Sequence, residues 1–251
     1  MTKKILISLL SIAATLILSA CGGNKTLSNP DPRPMQTLPT IQTELTPAAQ
    51  LTHAIGKSAG AGSFVLRYGT VFRDAESMTE QQLIRTDSAY TSLITAPDTQ
   101  IFFAGNQRYT LSGESVQQET SPAPYSGSEI FAHVRSFLPN PNLIRDFTNQ
   151  RLTVTPEADG ALVYACGYLD EDELGQILYG GTLPQNLLPS GYSKIEGKIS
   201  FFVDSNGRFT CLQVDIDLYQ SGTKPDDTFT LLLTMEQIGT LESIPTPDWI
   251  D

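Results

Sequence analysis

The feature that most constrains the fold is a turn dipeptide, Asn206-Gly207, between two runs rich in β-branched and aromatic residues. These runs cover Lys194–Val203 and Arg208–Leu218. Asn-Gly between two β-rich runs is a strong short-range signal of a β-hairpin. In the second run, apolar residues at 212, 214, 216 and 218 alternate with polar ones at 213, 215 and 217. The pattern therefore predicts an antiparallel sheet with one buried and one solvated face.

The same residue types predict further strands on both sides of this hairpin. Residues 81–95 fit neither helical nor strand periodicity cleanly, and we interpret them as one strand. Two pairs of these strands are expected to form hairpins. Gly105-Asn106 is the turn of one hairpin, and residues 156–160 are the turn of the other. The predicted strands are Ser63–Arg73, Gln81–Thr95, Thr99–Ala104, Gln107–Leu111, Arg151–Thr155, Ala161–Leu169 and Thr228–Met235.

Three segments carry helix signals. The first begins at Thr46, an N-cap residue followed by Pro47, and glycines at 56, 60 and 62 favour a short helix ending near residue 55. The second, Ser128–Leu138, follows a capping-box sequence and has an apolar stripe at 130, 131, 134, 137 and 138. The third begins with acidic residues at 170–173 and is ended by Gly180. Helices with one apolar face predict an α+β fold in which they pack on one face of the sheet.

The amino terminus has the pattern of an export signal. Lys3 and Lys4 precede a mainly apolar run, Ile5–Leu18, which small residues and Cys21 follow. Leu18-Ser19-Ala20-Cys21 resembles the lipobox of bacterial lipoproteins. That resemblance implies that the Cys21 thiol receives a diacylglyceryl group and that cleavage makes Cys21 the new amino terminus. Two acyl chains hold a protein stably on a membrane, so we expect a lipid-anchored protein on the extracytoplasmic face of the cell membrane.

Composition divides the chain into three segments. Residues 1–20 are the predicted signal peptide, and residues 21–46 are rich in Gly, Asn, Ser, Thr and Pro. A segment of that composition buries too little apolar surface to fold, so we predict a disordered tether. Residues 47–251 then form a single predicted domain.

The order of elements behind a lipobox and a tether resembles the LolA/LolB-like lipoprotein-carrier superfamily, which includes many uncharacterised Gram-positive lipoproteins. The resemblance covers roughly residues 47–251 and includes no motif from which a family binding residue transfers. It implies a curved antiparallel half-barrel with two or three helices across its concave face, and a protein that carries a hydrophobic ligand.

Charge and residue types exclude several functions. Without residues 1–20 the chain has 14 basic and 27 acidic residues, a net charge of −13, which repels nucleic acid. His53 and His133 lie in different predicted elements, and no ligand spacing suggests a metal site. Asp215 and Asp217 share a strand face, as paired catalytic carboxylates could, but alternating polar residues on a wet strand give the same pattern. No catalytic, metal or cofactor site is predicted, and we expect a protein that is not an enzyme.

Cys166 and Cys211 are the remaining cysteines. An exported protein can retain a disulfide, and pairing across these 45 positions would stabilise the fold by about 3–4 kcal/mol in the loop-entropy model. The alternative is two buried thiols, and the sequence does not decide between them.

Two functions remain open for the domain. A carrier would hold its hydrophobic ligand between the sheet and the Ser128–Leu138 helix. A structural or regulatory lipoprotein would instead present its surface to an envelope protein. For each residue of the pocket, plain core packing is the alternative role. The candidate pocket residues are Ile130, Phe131, Phe137, Phe201, Leu231 and Leu233.

Overall fold

The computed structural model describes residues 45–140, 143 and 152–250. The predicted signal peptide, Cys21 and the tether as far as residue 44 lie outside the described residues, as does Arg151. Among the helices of the described part, none has the length and apolar character required to cross a membrane.

Four helices and eleven strands lie within the described residues. The helices are α1 (Pro47–Ala59), α2 (Gly127–Ile130), α3 (Ala132–Phe137) and α4 (Glu171–Tyr179). The strands are β1 (Ser63–Phe72), β2 (Ala75–Arg85), β3 (Tyr90–Ala96), β4 (Thr99–Ala104), β5 (Gln107–Ser112), β6 (Ser115–Thr120), β7 (Thr153–Pro156), β8 (Leu162–Asp170), β9 (Lys194–Val203), β10 (Phe209–Tyr219) and β11 (Asp227–Glu236).

The strands form one open antiparallel sheet in the order β6-β5-β4-β3-β2-β1-β11-β10-β9-β8-β7. Strands β1 to β6 form one meander and β7 to β11 another, and the pairing of β1 with β11 joins the two. The predicted α+β class and antiparallel sheet are confirmed. The predicted hairpins β4–β5, β7–β8 and β9–β10 are also present.

The prediction of a single strand over residues 81–95 is wrong. The chain turns at Thr86, whose backbone N–H and hydroxyl both donate to the carbonyl of Ala89, and β2 and β3 pair on either side of it. Strand β6 was not predicted because its side chains are exposed throughout. An edge strand that is wet on both faces has no apolar alternation to reveal it.

The helix expected at Ser128–Leu138 is broken at Phe131, whose φ of −96° and ψ of 14° separate α2 from α3. Adjacent residues of a continuous helix point about 100° apart. Here Ile130 is buried in the core and Phe131 stacks on Phe64 of β1, with ring centroids 6.2 Å apart. The break lets both neighbours face the sheet. The first helix, in contrast, continues past Gly56 to Ala59.

Two apolar clusters occupy the sheet face that carries the helices, called the helix face below. The C-terminal cluster lies between β8–β11 and the helices α1 and α4, and the alternating residues Val214, Ile216 and Leu218 are buried in it as predicted. The N-terminal cluster lies on β1–β4, with Ile130 of α2 and Met235 of β11. The longer helices thus cover one cluster, and the two short helices α2 and α3 cover the other.

Cys166 and Cys211 form no disulfide with each other in the described structure. Cys166 pairs with Ile199, which pairs with Val214, so Cys166 lies on the helix face. Cys211 is three residues from Val214 and therefore points to the opposite face. The two strands are also about 10 Å apart across β9, whereas bridged cysteines have Cα atoms about 4–7 Å apart. Burial, and secondarily Asp215, raises the pKa of the Cys211 thiol to about 11.

Candidate functional site

The six residues predicted to line a pocket do not surround one common space. Phe201 and Leu231 belong to the C-terminal cluster and Ile130 to the N-terminal cluster, where all three are buried. The other three are half-buried, and two of them, Phe137 and Leu233, pack against both clusters. The remaining residue, Phe131, packs against the N-terminal cluster alone. None of the six lines any of four surface clefts that described residues form.

A cleft of about 210 Å³ does open on the helix face, between strands β3–β5 and the start of α2–α3. We call it the helix-face cleft. Its floor consists of Ile94, Ile101 and Phe103, all members of the N-terminal cluster. Its remaining lining residues are Arg108, Tyr125, Glu129, Ala132 and His133. The cleft combines an apolar floor with a polar rim, as ligand sites commonly do.

Tyr125 and the capping box of α2 fix the wall of this cleft. The Tyr125 ring meets Phe103 edge-on, with centroids 5.1 Å apart, and its backbone N–H donates to the Gly105 carbonyl. The backbone N–H of Ser126 donates to the Glu129 carboxylate at 2.8 Å, so the predicted capping box is confirmed. These local contacts hold the start of α2 over strand β4.

One basic side chain, Arg108, and one carboxylate, Glu129, line the cleft. Arg108 lies over the ring of Phe103 and forms an ion pair with Glu119 at 3.2 Å. Hydrogen bonds from the Ser126 hydroxyl and backbone lower the pKa of the second carboxylate, Glu129, so it is ionised at neutral pH. The Arg108 guanidinium already has Glu119 as its ion-pair partner, and the Glu129 carboxylate on the lining disfavours a bound anion.

Behind the cleft floor, a polar side chain is enclosed in the N-terminal cluster. Gln81 is 0% exposed, and its neighbours in successive strands are Leu66, Ile94 and Ile101. Its amide Nε2 donates to the Ser92 hydroxyl at 3.1 Å and to the Ile130 carbonyl at 3.0 Å. Gln81 thus ties α2 to the sheet at the inner edge of the cleft. Its polarity gave no sequence signal, because Gln on a strand normally indicates the wet face.

Asp215 and Asp217 lie on the opposite, solvated face, in a cleft of about 330 Å³ with Lys198 and Tyr168. Asp215 accepts hydrogen bonds from Gln213 and Thr230, and Asp217 accepts one from Thr228. Donors on β10 itself and on the neighbouring strand β11 therefore bind both carboxylates, as expected for the polar face of a sheet. In the part of the chain that the structure describes, no group of three or more His, Cys, Asp or Glu side chains is placed to hold a metal.

Sequence reasoning missed an ion pair at one end of the central strands. The Arg73 guanidinium donates to both carboxylate oxygens of Asp227, at 2.9 and 2.6 Å, and the Tyr192 hydroxyl donates to the same carboxylate. Hydrogen bonds from Arg73 and then Tyr192 lower the pKa of Asp227 to about 2. Arg73 and Asp227 are 154 positions apart, so no local pattern indicates their contact. This pair joins the β1–β2 turn to the start of β11.

Comparison of the chain with models of known protein families and with curated proteins finds no match.

Proposed function

We propose that this protein is a lipid-anchored, non-enzymatic binding protein of the extracytoplasmic membrane face that holds a neutral apolar ligand in the helix-face cleft. The observation that supports this most is the uneven cover of the sheet. The N-terminal cluster lies under two helices of four and six residues, and α3 buries none of its own side chains fully. A small cleft lined in part by Ile94, Ile101 and Phe103 opens beside this thin cover.

The size of the cleft supports partial enclosure of one alkyl or acyl chain rather than of a whole lipid. Its volume of about 210 Å³ is below the roughly 300–1,000 Å³ of pockets that enclose drug-sized molecules. A single alkyl or acyl segment fits this description better than a diacyl lipid. Because Arg108 is paired with Glu119 and the Glu129 carboxylate also lines the cleft, a neutral ligand is favoured over a fatty-acid anion.

The proposal includes the anchor and the carrier-like architecture. Lys3, the apolar run and Cys21 support export and lipidation. An open antiparallel sheet with its helices on one face is compatible with the curved half-barrel of the lipoprotein-carrier superfamily. In this arrangement the tether holds the binding domain clear of the bilayer while the ligand is taken up.

Displacement of a fluorescent apolar dye tests the binding site. Ala132→Trp places a large side chain at the exposed rim of the cleft, whereas Ser136→Trp places the same side chain on α3 away from the cleft lining. We expect Ala132→Trp to weaken dye binding at least tenfold and Ser136→Trp to leave it unchanged. Equal effects of the two substitutions would contradict the assignment of the cleft.

Cell fractionation tests the anchor. Cys21→Ala removes the proposed lipid attachment, and the protein is expected to leave the membrane fraction and to lose labelling by radioactive palmitate. A Cys166→Ala variant should retain both properties, because the lipid is proposed to be attached to Cys21. Membrane retention of Cys21→Ala would refute lipid anchoring.

The second candidate function is interaction with an envelope protein, and strand β6 favours it. All six residues of this edge strand are exposed, and the strand has one charged side chain, Glu119. Edge strands with few charges and no prolines are templates for pairing with another chain. Loss of one stoichiometric cross-linked envelope protein in Val116→Lys, but not in Ser88→Lys, would favour this function over the carrier.

A further inference from the structure

Tyr168 on strand β8 combines an exposed aromatic ring with a costly backbone conformation. Its side chain is 84% exposed, more than any other large hydrophobic side chain among the described residues. Its φ of 57° lies in the left-handed region, and of the four described non-glycine residues with positive φ it alone lies within a strand. For a bulky residue such a conformation is an outlier, and outliers of this kind cluster at functional sites.

A β-bulge produces this conformation. The pairing of β8 with β9 shifts by one residue between Cys166 and Leu169. Gly167 and Tyr168 therefore lie together opposite Lys198, and the extra residue lets Cys166 and Leu169 both face the helix face. Packing thus explains the bulge, but glycine would meet the backbone requirement at position 168 without strain. The exposed tyrosine ring needs a different explanation.

The bulge places Tyr168 beside an open cleft of about 560 Å³ on the solvated face of β7–β9, called the solvated-face cleft below. This volume lies within the roughly 300–1,000 Å³ of small-molecule pockets. Its floor consists of Val163, Ala165 and Gly167, which alternate with buried residues of β8 and are themselves half-buried. The remaining lining residues are Thr153, Thr155, Glu157 and Lys198.

This lining matches a neutral ring that bears several hydroxyl groups. Hydroxyls both donate and accept, so they can bind a carboxylate, an ammonium group and threonine hydroxyls alike. The C–H face of a sugar ring can at the same time pack on the Tyr168 ring and the apolar floor. A purely apolar ligand would desolvate Glu157 and Lys198 without compensation, and a charged ligand would meet a like charge in one of them.

A peptide strand suits this position less well. Strand β7 is at the edge of the sheet, but it has four residues and ends at Pro156. Short edge strands and prolines oppose pairing with another chain.

We propose that the solvated-face cleft binds a neutral saccharide, with one sugar ring stacked on Tyr168. Tyr168 and Lys198 also line the neighbouring cleft that contains Asp215 and Asp217. A second sugar unit can therefore continue past Tyr168, where the carboxylates accept hydroxyl protons and disfavour acidic sugars. The site lies on the opposite face of the sheet from the helix-face cleft and is independent of the proposed apolar ligand.

The test measures binding of the detergent-solubilised protein to an array of neutral oligosaccharides of glucose, galactose, mannose and N-acetylglucosamine, with sialylated oligosaccharides for comparison. We expect the wild type to bind at least one neutral oligosaccharide and Tyr168→Gly to weaken that binding about tenfold, as expected for loss of one stacking contact. Because glycine accepts the left-handed backbone, Tyr168→Gly should keep or raise the Tm. Unfolding would then not account for the lost binding.

Gly167→Leu is a second variant, which blocks the cleft and keeps Tyr168. A Cβ at Gly167 meets no atom within 4 Å, and its φ is not positive, so leucine projects into the cleft without a clash. We expect Gly167→Leu to weaken binding at least as much as Tyr168→Gly. Gly181→Leu is the matched control, because its Cβ site is equally open and it lies outside the linings of both solvated-face clefts. It should bind like the wild type.

Failure of the wild type to bind any neutral oligosaccharide, or a preference for sialylated ones, would overturn the proposal. Wild-type binding by both Tyr168→Gly and Gly167→Leu would also overturn it, as would equal losses in Gly167→Leu and Gly181→Leu. Ala132→Trp, which blocks the helix-face cleft, should leave saccharide binding unchanged. The outcome for this site is therefore separate from the outcome for the apolar ligand.

Discussion

Tyr68→Phe should stabilise the ligand-free protein. The substitution removes one buried hydroxyl that has no hydrogen-bond partner among the described residues and keeps the ring that packs on Phe137. An unsatisfied buried polar group costs about 1–3 kcal/mol, so its removal should raise the free energy of unfolding by about 1 kcal/mol. In a domain of this size, that corresponds to an increase in Tm of about 2–4 °C.

Tyr164→Phe makes the same chemical change at a satisfied position. Tyr164 is 1% exposed, and the substitution leaves Gln50 without the hydrogen bond that the Tyr164 hydroxyl donates to it. We expect the free energy of unfolding to fall by about 0.5–1.5 kcal/mol. The two substitutions should therefore change the free energy of unfolding in opposite directions. A general effect of replacing tyrosine by phenylalanine would change it in the same direction at both positions.

Urea denaturation followed by circular dichroism measures both changes, provided that the slope of unfolding free energy against urea stays constant. A loss of stability in Tyr68→Phe similar to that in Tyr164→Phe would refute the reasoning, because the Tyr68 hydroxyl would then have a partner in the free protein.

Three further predictions concern the fold. Gly175→Ala places a Cβ 2.4 Å from the Gly181 carbonyl oxygen and should cost about 1–3 kcal/mol in urea denaturation, whereas Gly167→Ala, with no atom within 4 Å, should be tolerated. The Asp227 carboxylate, whose pKa is about 2 in the folded protein and near its usual 3.8 when unfolded, stabilises the fold fully above about pH 4 and loses this contribution as the pH falls towards 2. Asp227→Asn should flatten that part of an acid titration of stability, and an unchanged pH profile would contradict the assigned pair. Ile216→Ala at a fully buried position should cost about 2–5 kcal/mol, and a loss below 1 kcal/mol would show that β10 packs less tightly than described.

The carrier hypothesis located the helix-face cleft only approximately. The apolar stripe of Ser128–Leu138 correctly predicted helical structure packed on the sheet, but all six expected pocket residues lie elsewhere than in the cleft lining. The rim residue Arg108 gave no signal, because a lone basic residue in a polar strand is usually a solvated one. Which residues of an amphipathic segment line a space and which fill the core depends on the packing of strands that are distant in sequence.

Local sequence by itself determined the elements whose signals lie within a few residues of each other. Asn206-Gly207 determined a hairpin and its turn, Thr46 and Ser126 determined helix starts, and the alternation in β10 determined its buried face. Backbone dihedral preferences and short-range hydrogen bonds decide these features, and neither requires the rest of the chain.

Tertiary structure alone decided the pairing of β1 with β11, the placement of Cys166 and Cys211 on opposite faces, and the enclosure of Tyr68 beside Gln81. These relations join residues whose separation in the sequence carries no information about their separation in space. Strand order, register and orientation depend on how the apolar surfaces of all the strands and helices are buried together. The residue pattern of one strand shows only which of its own side chains are apolar.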